Sequence, residues 1–260
     1  MRGAHLQRLA TAGLLLLACA GCHTSMRRAP NFDERLARIA SVAVMPPDVE
    51  VFEHAFKGSG RPLREDEAVV RFNLASITTR VLAGQGMTAR RADLEESALR
   101  EKPDLRFRLT QMQEAFAREM GEAYQDETMR RSKAFQAEHS LGPDVNVFSD
   151  RDQVDGLVFV RVKGVKESEG QRRLDFFLDT LIGITTGVWE DPGSGESAVI
   201  QIGFVDGTTG HVLWSDMGTS PDFDGMSMEK TIERMIGGMT PGKKKEEEKK
   251  GRNQSWKSDE

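Results

Sequence analysis

Residues 197–215 read SAVIQIGFVDGTTGHVLWS and decide the fold, because two strand patterns are joined by a turn. In the first half of this stretch, one set of alternate residues is apolar, and the other set includes Gln201 and Gly203. We therefore expect the strand face that bears Gln201 and Gly203 to be less covered by other parts of the chain. The connection at 206–210, DGTTG, has two glycines and fits a hairpin loop. The stretch therefore predicts an antiparallel hairpin whose loop contains Asp206, Gly207 and Gly210.

Three further segments have strand character. Residues 154–165, VDGLVFVRVKGV, are apolar on both alternating faces, as expected for a strand covered on both sides. Residues 39–45, IASVAVM, form a β-rich run that stops at two prolines, Pro46 and Pro47, which predict an exit loop. A short strand is predicted at 87–92.

Helices are predicted between these strands. Residues 65–86 contain an apolar stripe at helical spacing, preceded by acidic residues that suit a helix start. Residues 94–136 are helical in character, with Pro103 starting or kinking the main segment. A loop with at most a short helix is expected at 138–155, and a last helix at 226–239. The stripe of the first helix consists of Val70, Leu74, Ile77 and Val81.

These elements predict an α/β domain, with α+β as the alternative. We expect one mixed sheet of about five strands that includes the C-terminal antiparallel hairpin and packs against two to four helices. The predicted organisation is an N-terminal leader at 1–18, a tether at 19–36 and a single domain at 37–240. The tail at 241–260 is rich in charge and poor in apolar residues, which predicts disorder.

The N-terminus has the pattern of an export signal. Basic and polar residues precede an apolar run at 9–18, which is shorter than the roughly 20 residues of a membrane-spanning helix. The end of this run resembles the bacterial lipobox, because Leu16, Leu17 and Ala18 precede Cys19. Cys22 is the alternative lipid acceptor. The remaining alternative is that both cysteines are only small apolar residues of the signal.

The lipobox resemblance implies a diacylglycerol thioether on the cysteine and acyl chains such as palmitate as the membrane anchor. A stable anchor needs two or more such chains. The residue after the acceptor is Ala20 or His23 rather than aspartate, which in enteric bacteria favours the outer membrane, with the inner membrane as the alternative. The expected location is the cell envelope, with the domain facing the periplasm.

Composition and motifs exclude several function classes. A net charge of −5 with 30% charged residues and no basic face argues against nucleic acid as a partner. Zinc spacings, phosphate loops and nucleophile elbows are absent from the sequence. His54 lies near Glu50 and Glu53, but a solvated loop explains this cluster better than a metal. We expect no catalytic residue, no metal and no cofactor, and therefore no enzyme.

The most apolar segment after the signal is LDFFLDTLIGITTGVW at 174–189. With two aspartates and two internal glycines it is too short and too polar to span a membrane. It is either a core or subunit contact, which its place between two strands favours, or an exposed segment that meets a bilayer or a partner. The residues predicted to make such a contact are Phe176, Phe177, Leu181, Ile182 and Trp189.

Four motifs of this chain resemble, in the same order, those of exported bacterial lipoproteins whose α/β domain is like the TolB N-terminal domain and the curli-secretion lipoprotein. The motifs are IASVAVMPP, VLAGQGM, VDGLVFVRVKG and VDGTTGHVLWS. The resemblance covers about 39–239 and places Trp214 on a core face of the sheet. It implies a non-catalytic envelope module that assembles with itself or with other envelope proteins, around secretion or trafficking. Two alternatives stay open: a periplasmic hydrolase or ligand-binding enzyme, and a self-assembling ring or pore subunit.

Overall fold

The computed structural model describes residues 26–54, 61–94, 96–125, 139–167 and 196–239. In these residues an open sheet of eight strands packs against six helices. The strands are β1 Arg27–Arg28, β2 Ser41–Val44, β3 Asp48–His54, β4 Arg61–Pro62, β5 Thr88–Arg91, β6 Gly156–Glu167, β7 Glu196–Asp206 and β8 Val212–Ser220. The helices are α1 Phe32–Leu36, α2 Arg64–Gly84, α3 Glu96–Glu101, α4 Pro103–Gln125, α5 Asn146–Asp152 and α6 Gly225–Met239.

The strand order is β1-β8-β7-β6-β2-β5, and β3 also pairs with β6 while β4 pairs with β3. Strands β2 and β3 run parallel to β6, β5 runs parallel to β2, and β7 and β8 form an antiparallel pair beside β6. The sheet is therefore mixed, which confirms the predicted α/β class with its C-terminal hairpin. The strands beyond the expected five include β1 and β4, which have two residues each and are too short to leave a pattern in the sequence.

Both faces of the sheet are covered, each by its own hydrophobic cluster. One cluster joins the sheet to α2 and α6, and the other joins it to α4 and α5. The face bearing Gly203, predicted to be less covered, is in fact packed by α4: a Cβ at Gly203 would lie 2.3 Å from Cε2 of Phe116. Phe116 also stacks on Phe159 at 5.6 Å between ring centroids. The prediction failed because the glycine makes room for an aromatic ring from a distant helix.

The exit loop predicted at Pro46 and Pro47 is instead a short interruption between β2 and β3. After the prolines the chain returns to pair with β6 along seven residues. The carbonyls of the two prolines are satisfied from both helical layers, because Gln113 donates to Pro46 O at 2.9 Å and Arg71 Nε donates to Pro47 O at 3.1 Å. Side chains therefore replace the ladder hydrogen bonds at this point.

Residues 26–36, assigned from the sequence to the tether, belong to the fold. Arg27 and Arg28 pair with β8, and Phe32 is only 4% exposed. Arg28 donates to the carbonyl oxygens of Gly238 at 2.9 Å and Met239 at 3.0 Å, and its guanidinium lies 5.2 Å from the Phe32 ring centroid. A cation at these last carbonyls suits the negative end of the α6 dipole.

Within the long charged region, α3 and α4 meet at Lys102, and Pro103 begins α4. This agrees with the prediction that Pro103 starts the main helix. The predicted loop before β6 contains α5, whose Phe148 is buried in the same cluster as Phe116 of α4.

Candidate interaction surface

The hairpin loop between β7 and β8 is held by hydrogen bonds to its own backbone and to two neighbouring segments. Oδ1 of Asp206 accepts the backbone N–H groups of Thr208 and Thr209, each at 3.0 Å. Gly207 donates its N–H to Asp155 O at 2.9 Å and accepts the Ser149 hydroxyl at 2.6 Å. These contacts fasten the loop to α5 and to the start of β6.

Asp155 also forms hydrogen bonds with the start of β2. Its Oδ2 accepts hydrogen bonds from the backbone of Ala40 at 3.0 Å and from the backbone and hydroxyl of Ser41, both at 2.9 Å. The hydrogen bonds from Ser41 lower the pKa of this carboxyl. Oδ2 of Asp155 therefore joins the start of β2 to the start of β6 through three hydrogen bonds.

Gly210 closes the hairpin with a backbone that only glycine adopts readily. Its φ is 73°, its N–H donates to Asp206 O at 2.9 Å, and its carbonyl accepts Leu141 N–H at 2.9 Å. Trp214 follows on β8, where it pairs with Phe204 and is 1% exposed in the core beneath α6. The four predicted hairpin residues thus lie where they shape the fold.

The carboxyl group of Asp206 makes the stability of the fold depend on pH. Burial alone would raise the pKa of Asp206, but hydrogen bonds from the backbone of Thr209 and Thr208 and from Arg35 outweigh it and lower the pKa. A lowered folded-state pKa stabilises the fold above the unfolded-state pKa of about 3.9, and this contribution is lost as the pH falls through the folded-state pKa.

We therefore expect Asp206→Asn, which keeps an acceptor but loses the charge, to cost about 1 kcal/mol of unfolding free energy at pH 7. The difference from the wild type should shrink as the pH falls below about 4. Urea unfolding at several pH values measures it. Asp150→Asn, at an exposed position of α5, is the control. A deficit of equal size at all pH values would contradict the role of the charge.

The charged side chains of β3 and β6 are paired with one another. Arg161 contacts Asp48 at 3.1 Å and Glu50 at 3.0 Å, and Lys163 contacts Glu50 at 2.9 Å. Burial raises the pKa of Asp48, whereas for Glu50 the effect of burial is outweighed by Lys163 and Arg161, which lower its pKa. This network supports the pairing of β3 with β6.

The histidines do not assemble a metal site in the part of the chain that the structure describes. Nδ1 of His139 lies 2.5 Å from Oε2 of Glu119, which joins α4 to the segment that pairs with the hairpin. Ser140 pairs with His211 in an isolated bridge, so His139 and His211 lie on neighbouring backbone segments. Among the described residues no group of three or more potential ligands could hold a metal ion.

An exposed apolar patch on α2 was missed by the sequence analysis. Val69 is 61% exposed and Phe72 is 60% exposed, although both belong to a helix that packs on the sheet. The Arg91 guanidinium of β5 lies 5.0 Å from the Phe72 ring centroid, so the patch contacts the strand that ends the described sheet. We call Val69, Phe72 and β5 the β5 edge surface. In the sequence, this patch is indicated by two apolar residues, Val69 and Phe72, that lie outside the stripe that begins at Val70.

Several predicted residues lie outside the described residues. These are both lipidation candidates, Cys19 and Cys22, the charged tail, and the apolar interaction segment with Phe176, Phe177, Leu181, Ile182 and Trp189. Of the helices that the structure does describe, none combines the length and the apolar character needed to cross a bilayer.

Solved structures similar to this chain include three from bacteria, one of them a lipoprotein. The PelC dodecamer from Paraburkholderia phytofirmans is 11% identical, with 76% of this chain and 86% of that chain covered and a TM-score of 0.33. Lipoprotein GNA1162 from Neisseria meningitidis is 11% identical over 70% of this chain and 81% of that chain, with a TM-score of 0.33. The C-terminal domain of LpoB from Salmonella enterica is 11% identical over 73% and 92%, with a TM-score of 0.24. Neither a protein-family model nor a curated protein matches the sequence.

Proposed function

We propose that this protein is a lipid-anchored component of a bacterial envelope whose periplasmic domain is a non-catalytic binding or assembly module. The anchor is a lipid on Cys19, with Cys22 as the alternative acceptor, and the expected membrane is the outer membrane. The domain presents a surface for another protein, in a process such as secretion or envelope trafficking.

The observation that carries the binding role is the β5 edge surface. An open sheet edge beside exposed apolar side chains is a common feature of protein interaction sites. Phe72 lies on the side of α2 opposite Val70 and Leu74, which are buried against the sheet, so packing of α2 on the sheet leaves Phe72 exposed. The described carboxylates offer less for catalysis, because those with shifted pKa values are paired with cations or accept hydrogen bonds that build the fold.

Metabolic labelling with a clickable palmitate tests the anchor. We expect label on the wild type and on Cys22→Ala, a loss of label in Cys19→Ala, and a complete loss in the double variant. The double variant should also leave the membrane fraction, because its mature domain has no acyl chains to hold it there. Label retained only in Cys19→Ala would identify Cys22 as the acceptor.

Ala20→Ser is a matched control, because it changes a neighbouring small residue and keeps both thiols. A double variant that still incorporates palmitate and sediments with membranes would overturn the anchoring proposal.

A further inference from the structure

We propose that the β5 edge surface binds an extended segment of a different polypeptide as an added strand, and that this segment alternates apolar with acidic residues. The inference rests on the proposed function, since it assigns a site and a partner chemistry to the binding module.

The outer edge of β5 has backbone groups available for a new strand. Thr88 donates its N–H to Ala40 O at 3.3 Å, and Ala92 donates to Val44 O at 2.9 Å. Alternate residues of a parallel strand turn toward the same neighbour, so Ala89 and Arg91 turn their N–H and C=O groups away from β2. No described strand lies on that side of β5. A segment placed there would gain main-chain hydrogen bonds, as in strand addition to other sheet edges.

The α2 side of this edge accepts apolar side chains. Ala89 packs against the cluster beneath α2, and the guanidinium of Arg91 lies over the Phe72 ring. Val69 lies one helical turn before Phe72 and is equally exposed. An apolar side chain of the added strand on this side would contact Phe72 and Val69 and remove apolar surface from water.

The opposite side of the edge selects acidic side chains. Because successive residues of a strand alternate between faces, Arg90 points away from α2, and it is exposed. Within the described residues neither Arg90 nor Arg91 takes part in an ion pair, whereas Arg80, Arg108 and Arg161 do. A glutamate or aspartate opposite Arg90 would supply the missing partner charge.

The same charges argue against this edge pairing with its own copy. A two-fold symmetric pair of β5 strands would bring the arginines of the two chains together, and like charges on neighbouring strands are destabilising. Charge complementarity therefore favours a different, acidic polypeptide over a second copy.

Fluorescence anisotropy with two labelled peptides tests the proposal on the lipidated full-length protein in detergent micelles at low ionic strength. The probe is fluorescein-Val-Glu-Val-Glu-Val-amide, and its charge-inverted counterpart has lysine in place of glutamate. We expect the acidic peptide to bind about tenfold more tightly than the basic peptide. Arg90→Glu should reverse this preference, and Phe72→Ser should weaken the binding of both peptides.

Phe107→Ser is the matched control, because Phe107 is 63% exposed, as Phe72 is, but belongs to α4 and not to the β5 edge surface. It should leave both affinities unchanged. The bound acidic peptide should also slow the hydrogen exchange of the backbone amides of Ala89 and Arg91. A general charge effect would not change these exchange rates.

Equal affinities for the two peptides, no binding of either, or the same loss in Phe107→Ser as in Phe72→Ser would overturn the inference. Peptide discrimination without palmitate labelling would overturn only the proposed anchor. Labelling without peptide discrimination would overturn only the assignment of this surface.

Discussion

Gly210→Ala is expected to lower the free energy of unfolding by about 2–4 kcal/mol. The φ of Gly210 is 73°, which an alanine adopts only with strain, and a Cβ there would lie 2.1 Å from the carbonyl oxygen of Gly142. That oxygen belongs to the backbone and cannot move away alone. The substitution should therefore also strain the hydrogen bond from Leu141 N–H to Gly210 O. Urea unfolding followed by circular dichroism measures the loss.

Gly237→Ala is the control for a glycine-to-alanine change without crowding. Gly237 lies in α6, and apart from its chain neighbours and the backbone of its own helix no atom of the described residues lies within 4 Å of a Cβ built on it. Here alanine should stabilise the protein by about 0.5–1 kcal/mol, because it favours the helix. If Gly210→Ala were as stable as the wild type, the close approach of the hairpin to Gly142 would be wrong.

Trp214→Ala is expected to cost about 3–5 kcal/mol, the largest single loss that we predict from a side chain. The indole is 1% exposed, pairs across the strands with Phe204 and lies in the cluster with Met235 and Ile236 of α6. Removing it opens a cavity between the sheet and the helix. The loss should appear as a lower urea midpoint with an unchanged slope.

Trp214→Phe separates volume from hydrogen bonding. The indole Nε1 is buried and has no hydrogen-bond partner among the described residues. Phenylalanine keeps much of the apolar volume and loses no such bond, so we expect a cost of less than about 1.5 kcal/mol. Equal losses in Trp214→Phe and Trp214→Ala would contradict filled apolar volume as the source of the stability at this position.

Elements with strong periodicity were predictable from the sequence, and elements stabilised by distant partners were not. The stripe of α2 and the doubly apolar pattern of β6 each correspond to an observed element. Strand β3 escaped prediction because Asp48 and Glu50 look like loop residues. Their partners on β6, Arg161 and Lys163, become neighbours only when the sheet forms.

The β5 edge surface was likewise predictable from the sequence only in part. That Val69 and Phe72 fall outside the buried stripe of α2 can be read from helical spacing alone. That they lie beside a sheet edge depends on β5 being the last strand among the described residues, and strand order is a property of the whole chain. In the same way, DGTTG predicts a hairpin loop, whereas its fastening to Ser149 and Asp155 required the structure.

Mass spectrometry of the N-terminal peptide of the mature protein, isolated from bacterial membranes, tests the lipid-anchored module most directly. The account predicts a chain that begins at Cys19, or at Cys22, and carries the added mass of a diacylglyceryl group and further acyl chains. A mature chain found free in solution, with both thiols unmodified, would contradict it.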